Sequence, residues 1–226
     1  MSTSAPPYRP NRPRYDALLF DFDGVLAESL EIKAGAFRHI YDSYGEEFIQ
    51  RVLAYHQQHG GISRVEKIRH YHRDWLGLDV GDEVLDELAA KFTSLVEADV
   101  IACDWVPGAR ETLDAWQPLV PLYVISGTPE DELQRICDGR DMSHYFEQIR
   151  GSPLHKEPII EEIVARHDLE RRRTLFIGDT MTDYRAADAT GLDFLGRLVP
   201  GEDTPFPAGT TTVPDLHSLA AMANGA

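Results

Sequence analysis

The chain has only two cysteines, Cys103 and Cys137, in 226 residues. That is too few for a disulfide framework, and neither sits in a CxxC or Cys/His cluster of the kind that holds zinc. Both are expected to be reduced and structural. Positive charge is also scarce: 22 Lys and Arg stand against 38 Asp and Glu, a formal net charge of −16. A field of that sign repels nucleic acid and anionic membrane at long range, so neither is an expected partner, and an anionic ligand must find local positive charge. No apolar run approaches the roughly 20 residues of a spanning helix and no signal-peptide hydrophobic segment opens the chain, so the expected compartment is the cytoplasm. Neither GxGxxG nor GxxxxGK occurs, which argues against dinucleotide and P-loop nucleotide chemistry.

The remaining composition, 42% hydrophobic and 27% charged, suits a globular protein with a proper core, long enough for one α/β domain carrying a sizeable insertion. Residues 1–14 are rich in Pro, Arg and Ser and are expected to be a disordered lead. Ala17-Leu18-Leu19-Phe20 reads as a buried strand. From Glu28 to Asp104 the apolar spacing is helical, as in Ile32, Ala36, Ile40 and Tyr44, with no convincing strand. Strands and helices then alternate: a strand over Leu119–Ile125, a helix starting at Ser126, a short strand over Gln148–Arg150, a helix over Glu157–His167, a strand over Thr174–Ile177, and a helix over Met181–Thr190. Possible edge strands over Phe194–Val199 and Thr211–Val213 and a closing helix over Leu216–Met222 complete the pattern. This rhythm predicts an α/β, Rossmann-like doubly wound, mostly parallel sheet with an inserted all-helical cap. The expected domains are a core of 15–27 and 105–226 and a cap of 28–104.

In such sheets ligands sit beyond the carboxyl ends of the strands, and the chemically distinctive residues fall there. Asp21-Phe22-Asp23-Gly24-Val25 follows the first strand. Side chains at i and i+2 of an extended chain share a side, so Asp21 and Asp23 converge. Two like charges about 4 Å apart repel by about 4 kcal/mol at an effective dielectric near 20, which calls for a cation, or for a proton on one of them. Ser126, Lys156, Asp179 and Asp183 follow the later strands. Read singly, each has a plain alternative: Ser126 as a helix N-cap, Lys156 as a surface lysine, Asp183 as a solvated first-turn carboxylate.

Taken in order, Asp21-Phe22-Asp23-Gly24-Val25, Val124-Ile125-Ser126-Gly127-Thr128, Lys156 and Gly178-Asp179-Thr180-Met181-Thr182-Asp183 resemble the four motifs of the haloacid dehalogenase superfamily. The branch resembled is that of phosphatases with a helical cap after the first motif, similar to phosphoglycolate phosphatases. The resemblance runs from Tyr15 onward. It departs at Lys156, where the usual following proline is Glu157 and Pro158 is displaced by one.

The resemblance implies a Mg²⁺-dependent phosphatase acting on a small phosphorylated metabolite, of the phosphoglycolate or sugar-phosphate type, through an aspartyl-phosphate on Asp21. Asp23 would protonate the leaving oxygen and then activate water, a role that calls for a raised pKa. The implied metal ligands are Asp21, the Asp23 main-chain carbonyl and Asp179, with Asp183 a ligand through water or a support. Lys156 would offset phosphate charge, and Ser126 with the Gly127 amide would bind phosphate oxygens at a helix N-terminus. A phosphomutase of the β-phosphoglucomutase type and an inactive scaffold acting as a binding protein are the alternatives.

In the cap, Ser63 and Glu66 after Gly60-Gly61 read as a capping box that starts a helix. Arg64 and Lys67 lie three apart on one face of that helix and are candidate substrate ligands. His56, His59, His70 and His72 receive no role.

Overall fold

Strand β1, Ala17–Phe20, is wholly apolar and wholly buried. Its pleat sends Leu18 and Phe20 into one apolar cluster and Ala17 and Leu19 into another. A strand covered on both faces has no polar side to present, which is why it reads as a continuous apolar run. In the computed structural model, which describes residues 13–223, β1 lies within a sheet of β2 (Leu122–Pro129), β3 (Gln148–Ser152), β4 (Thr174–Gly178), β5 (Asp193–Arg197) and β6 (Thr212–Val213). The order is β3-β2-β1-β4-β5-β6 and every adjacent pair is parallel. This is the strand order of a doubly wound, Rossmann-like fold, with the direction of winding changing beside β1.

Between β1 and β2 the chain forms α1 (Leu30–Ile40), α2 (Glu46–Gln58), α3 (Arg64–His70) and α4 (Asp82–Ala102). After α5 (Ala109–Trp116) the sheet resumes, and α6 (Glu130–Gly139), α7 (Lys156–His167), α8 (Met181–Thr190) and α9 (His217–Ala223) connect or close its strands. Ile159, Ile163, Ala186 and Ala187 of α7 and α8 cover the face of Ala17 and Leu19. Leu113, Trp116, Leu133 and Leu219 of α5, α6 and α9 belong to the opposite cluster. Among the described residues no helix is long and apolar enough to cross a membrane.

The two crossings between the sheet and α1–α4 run side by side. Ala27 bridges Trp105, the Glu28 N–H donates to the Asp104 carbonyl at 3.0 Å, and the Val106 N–H to that of Leu26 at 3.2 Å. Arg140, just past α6, donates to the carbonyls of Val100, Ile101 and Cys103 at the end of α4.

The helical insertion and the alternation match the reading of the sequence, with one substantive correction. β2 continues to Pro129 and α6 starts at Glu130, so Ser126 and Gly127 lie in a strand and not at a helix N-terminus. A residue before proline is disfavoured in the α region, which keeps Thr128 extended, and Pro129 pairs with Ser152 of β3. Lys156, expected in a loop, is the first residue of α7. The expected disordered lead, 1–14, lies almost wholly outside the described residues.

Candidate active site

Asp21 continues the line of β1, its N–H donating to the Ile177 carbonyl of β4 at 2.9 Å. The chain then turns at Gly24, whose φ of +72° favours glycine, and a Cβ there would run into the Asp179 carboxylate. This turn lets the ends of β1 and β4 approach. Asp179 follows β4 directly, and Asp183 sits in the first turn of α8, where its Oδ2 accepts from the Thr180 N–H at 3.0 Å and the Thr180 hydroxyl at 2.6 Å. Oxygens of Asp21, Asp179 and Asp183 lie within 4.8 Å of one another. Lys156 Nζ lies between two of them, 2.9 Å from Asp21 Oδ1 and 2.5 Å from Asp183 Oδ1.

Three carboxylates against one ammonium would leave two negative charges in a buried space if all were ionised. Burial pushes the Asp21 carboxyl up, Asp183 and Asp23 add to the rise, and Lys156 opposes it. Asp179 is raised well above the usual carboxylate range, first by burial and then by Asp21 and Asp183. Burial would lower Lys156, yet Asp183 and Asp21 outweigh it and hold the ammonium charged. Asp179 Oδ1 is buried with no hydrogen-bond partner. A crowded, all-oxygen donor set with excess negative charge and one orphaned carboxylate oxygen fits a hard divalent cation.

Asp23 differs from the expectation. Burial alone would raise its pKa, but Lys33 of α1 forms an ion pair with Oδ2, the Ser29 hydroxyl donates to Oδ1 at 2.6 Å and the Thr128 hydroxyl to Oδ2 at 3.1 Å. The net effect is a lowered pKa, so Asp23 is held as an anion in this conformation. Lys33 Nζ also donates to Thr128 Oγ1 at 2.7 Å, and the Ser126 hydroxyl approaches Asp23 Oδ2 at 3.5 Å.

Asp21, Asp23, Lys33, Gly127 and Asp179 help line a cavity of about 760 Å³ roofed by α1–α3, while Lys156, Asp183 and Ser126 lie behind them. The loop between α2 and α3 touches the end of β2 and the start of α8 directly: the Thr182 hydroxyl donates to the Gly60 carbonyl at 2.6 Å, and a Cβ at Gly127 would collide with the Gly61 carbonyl.

The family model for haloacid dehalogenase-like hydrolases matches residues 18–197. The chain belongs to this family. It is similar to Protein CbbY of Cereibacter sphaeroides, at 27% identity over 190 residues, covering 78% of this chain and 81% of that one. It is also similar to a phosphoglycolate phosphatase of Pseudomonas savastanoi pv. phaseolicola, at 25% over 185 residues, covering 77% and 66%. In fold it resembles the crystal structure of CbbY from Rhodobacter sphaeroides in complex with phosphate, with a TM-score of 0.71 at 20% identity, covering 93% and 99%.

In this haloacid dehalogenase-like hydrolase, the two candidates on the helical insertion part company. Arg64 lines the cavity, but its guanidinium is engaged by Glu132 of α6, at 2.6 and 2.8 Å, and by the Thr93 hydroxyl at 2.9 Å. Lys67 lines the same cavity, and among the described residues its side-chain hydrogen bonds go to His56. The sequence reading missed Lys33, Ser29, Thr128 and His56. Lys33 was detectable, being one helical turn after Ser29 at the start of the first helix beyond Asp23. His56 was not, because its place beside Lys67 depends on how α2 packs on α3.

Proposed function

We propose that this hydrolase is a phosphatase that uses Mg²⁺ and acts on a small phosphorylated metabolite of the phosphoglycolate or sugar-phosphate type. The observation that carries the reading is the convergence of Asp21, Asp179 and Asp183 around Lys156, with Asp21 and Asp179 lining a cavity of substrate size. The curated relatives and the phosphate held by CbbY support the substrate class.

Asp21 is the nucleophile. Its carboxylate attacks phosphorus in line, the bond to the leaving oxygen breaks, and an aspartyl-phosphate forms on Asp21. Lys156 places positive charge beside the nucleophile and the incoming phosphoryl oxygens, and Ser126 with the Gly127 amide offers donors to those oxygens. Asp23 gives a proton to the leaving oxygen and then accepts one from the water that hydrolyses the aspartyl-phosphate. Paired with Lys33, Asp23 is ready for the second of these tasks, and Lys33 must loosen its hold for the first. Asp21, Asp179 and the Asp23 main-chain carbonyl would hold the metal, with Asp183 a direct ligand or a support that keeps Lys156 in place. When bound, the ion supplies the positive charge that lets a carboxylate approach a phosphate dianion. Residues 28–104 act as a cap on a core of 15–27 and 105–226, excluding water from the cavity.

The test is hydrolysis of an aryl phosphate with magnesium and with excess chelator, alongside Asp21→Asn. Turnover should need the metal and fall by at least about 10³-fold in the variant. Turnover that ignores the chelator, or that survives the substitution, rejects the reading.

A further inference from the structure

We infer that the loop from β5 to β6 is a specificity wall on the core side of the cavity, and that the preferred substrates carry an apolar group at the end remote from the phosphoryl. The inference rests on the phosphatase reading for the position of the phosphoryl, and adds to it the chemistry of the substrate's far end.

A cavity of about 760 Å³ falls in the range of roughly 300–1,000 Å³ that encloses a drug-sized ligand, so a two-carbon acid phosphate would leave much of it to water. Toward β5 its lining is apolar: Leu198, Val199 and Pro205 of the β5–β6 loop share it with Leu30 of α1 and Leu53 of α2. β4 lies between β1 and β5, so with strands about 4.8 Å apart this loop leaves the sheet about 10 Å to the side of Asp21. Leu30 joins the two regions. A Cβ on Gly24 would come within 3.1 Å of its side chain and would also meet Asp179, so the apolar region begins directly beside the carboxylates.

The loop is anchored at both ends. Gly196 of β5 leaves room for Phe206 to pack on the strand, since a Cβ there would lie 2.5 Å from the Phe206 ring. Phe206 is buried, with the rings of Phe194 and Tyr184 at 5.3 and 6.3 Å between centroids. Between these anchors the Glu202 N–H donates to the Val199 carbonyl at 3.1 Å, and the Phe206 N–H to the Thr204 hydroxyl oxygen at 3.2 Å. At the other end, Arg197 Nη2 donates to Glu28 at 2.7 Å, and Nη1 and Nε to the carbonyls of Gly24 and Pro214, each at 3.3 Å.

Charge and polarity decide what suits this region. Arg197 is already neutralised by Glu28, while Glu202 and Asp203 add negative charge at the exposed rim, so a second anion is repelled there. A polyhydroxylated end would exchange water for aliphatic carbon. A hydrocarbon or aromatic end gains affinity on the same surface, by about fourfold for each CH₂ group fully buried.

The experiment measures binding by calorimetry to Asp21→Asn enzyme with magnesium, using two pairs of equal charge: hexyl phosphate against ethyl phosphate, and phenyl β-glucoside 6-phosphate against its methyl counterpart. In at least one pair the member with the larger apolar group should bind about tenfold or more tighter. Adding Val199→Asp should reduce that ratio to about twofold, and Val199→Leu should keep it. In the otherwise native enzyme the apolar group should lower KM and leave kcat within about twofold, because it lies away from the reacting phosphorus. Equal binding within both pairs while the loop is intact overturns the proposal whether or not the variants fold, and so does a preference that Val199→Asp leaves unchanged. If the preference holds but the native enzyme hydrolyses none of the four, the phosphatase reading fails and the apolar subsite stands.

Discussion

Asp23 and Lys33 are ten residues apart in sequence and in contact in space, and their pairing sets the protonation state of the proposed acid and base. The sign follows from the charges. Lys33 stabilises the carboxylate, so Asp23 stays ionised to lower pH than it would alone; as a base it loses activity when pH falls through its pKa. In Lys33→Met the pKa should rise, and the acidic limb of kcat for a good leaving group, where attack by water limits the rate, should move up by roughly one pH unit. A pH–rate profile checks this, and an unmoved limb removes Lys33 from the account. At this scale the sequence was informative about the residues whose chemistry depends on order along the chain. Asp21, Asp23, Lys156, Asp179 and Asp183 each follow a strand, and the parallel sheet delivers its strand ends to one place. It was silent about partners that reach the site from the insertion, such as His56, or that disarm a candidate, such as Glu132, which lies 68 residues from Arg64.

Helices α3 and α6 meet through Arg64 and Glu132, a two-pronged ion pair that is almost fully buried and joins the insertion to the sheet side of the molecule. Removing one member strands the other charge. Glu132→Ala should therefore destabilise the fold by about 3 kcal/mol, while Arg64→Met combined with Glu132→Leu should recover most of the loss. Urea unfolding of the three proteins measures both; a loss below about 0.5 kcal/mol in Glu132→Ala would show that the pair contributes little. Elements were read well where apolar pattern alone decides them, as in β1, β4 and α8. The helix expected from Ser126 begins only at Glu130: proline favours the first turn of a helix, yet Pro129 also holds Thr128 extended. The strand pairing of Pro129 with Ser152 settled which effect won, and that pairing is a long-range property.

Across the whole molecule, the arrangement answers a problem of charge. A chain of net charge −16 gathers its carboxylates at the ends of β1 and β4 and at the start of α8, and sets Lys33, Lys67 and Lys156 around them. The parallel order β3-β2-β1-β4-β5-β6 brings residues 21, 126, 156 and 179 to the same edge, and the helical excursion between β1 and β2 supplies the roof. That much follows from alternating strands and helices. The contact of Gly60 and Gly61 with Gly127 and Thr182 depends on how the roof sits and could not be read from periodicity. In the proposed reaction Asp21 carries the phosphoryl group between the two steps. Borohydride reduction of enzyme quenched during turnover, followed by peptide mass spectrometry, tests it most directly, because an acyl phosphate is reduced to an alcohol and a free carboxylate is not. Homoserine should appear at position 21 only when substrate is present; an unmodified Asp21 under steady turnover, or reduction at a different carboxylate, would exclude Asp21 as the carrier.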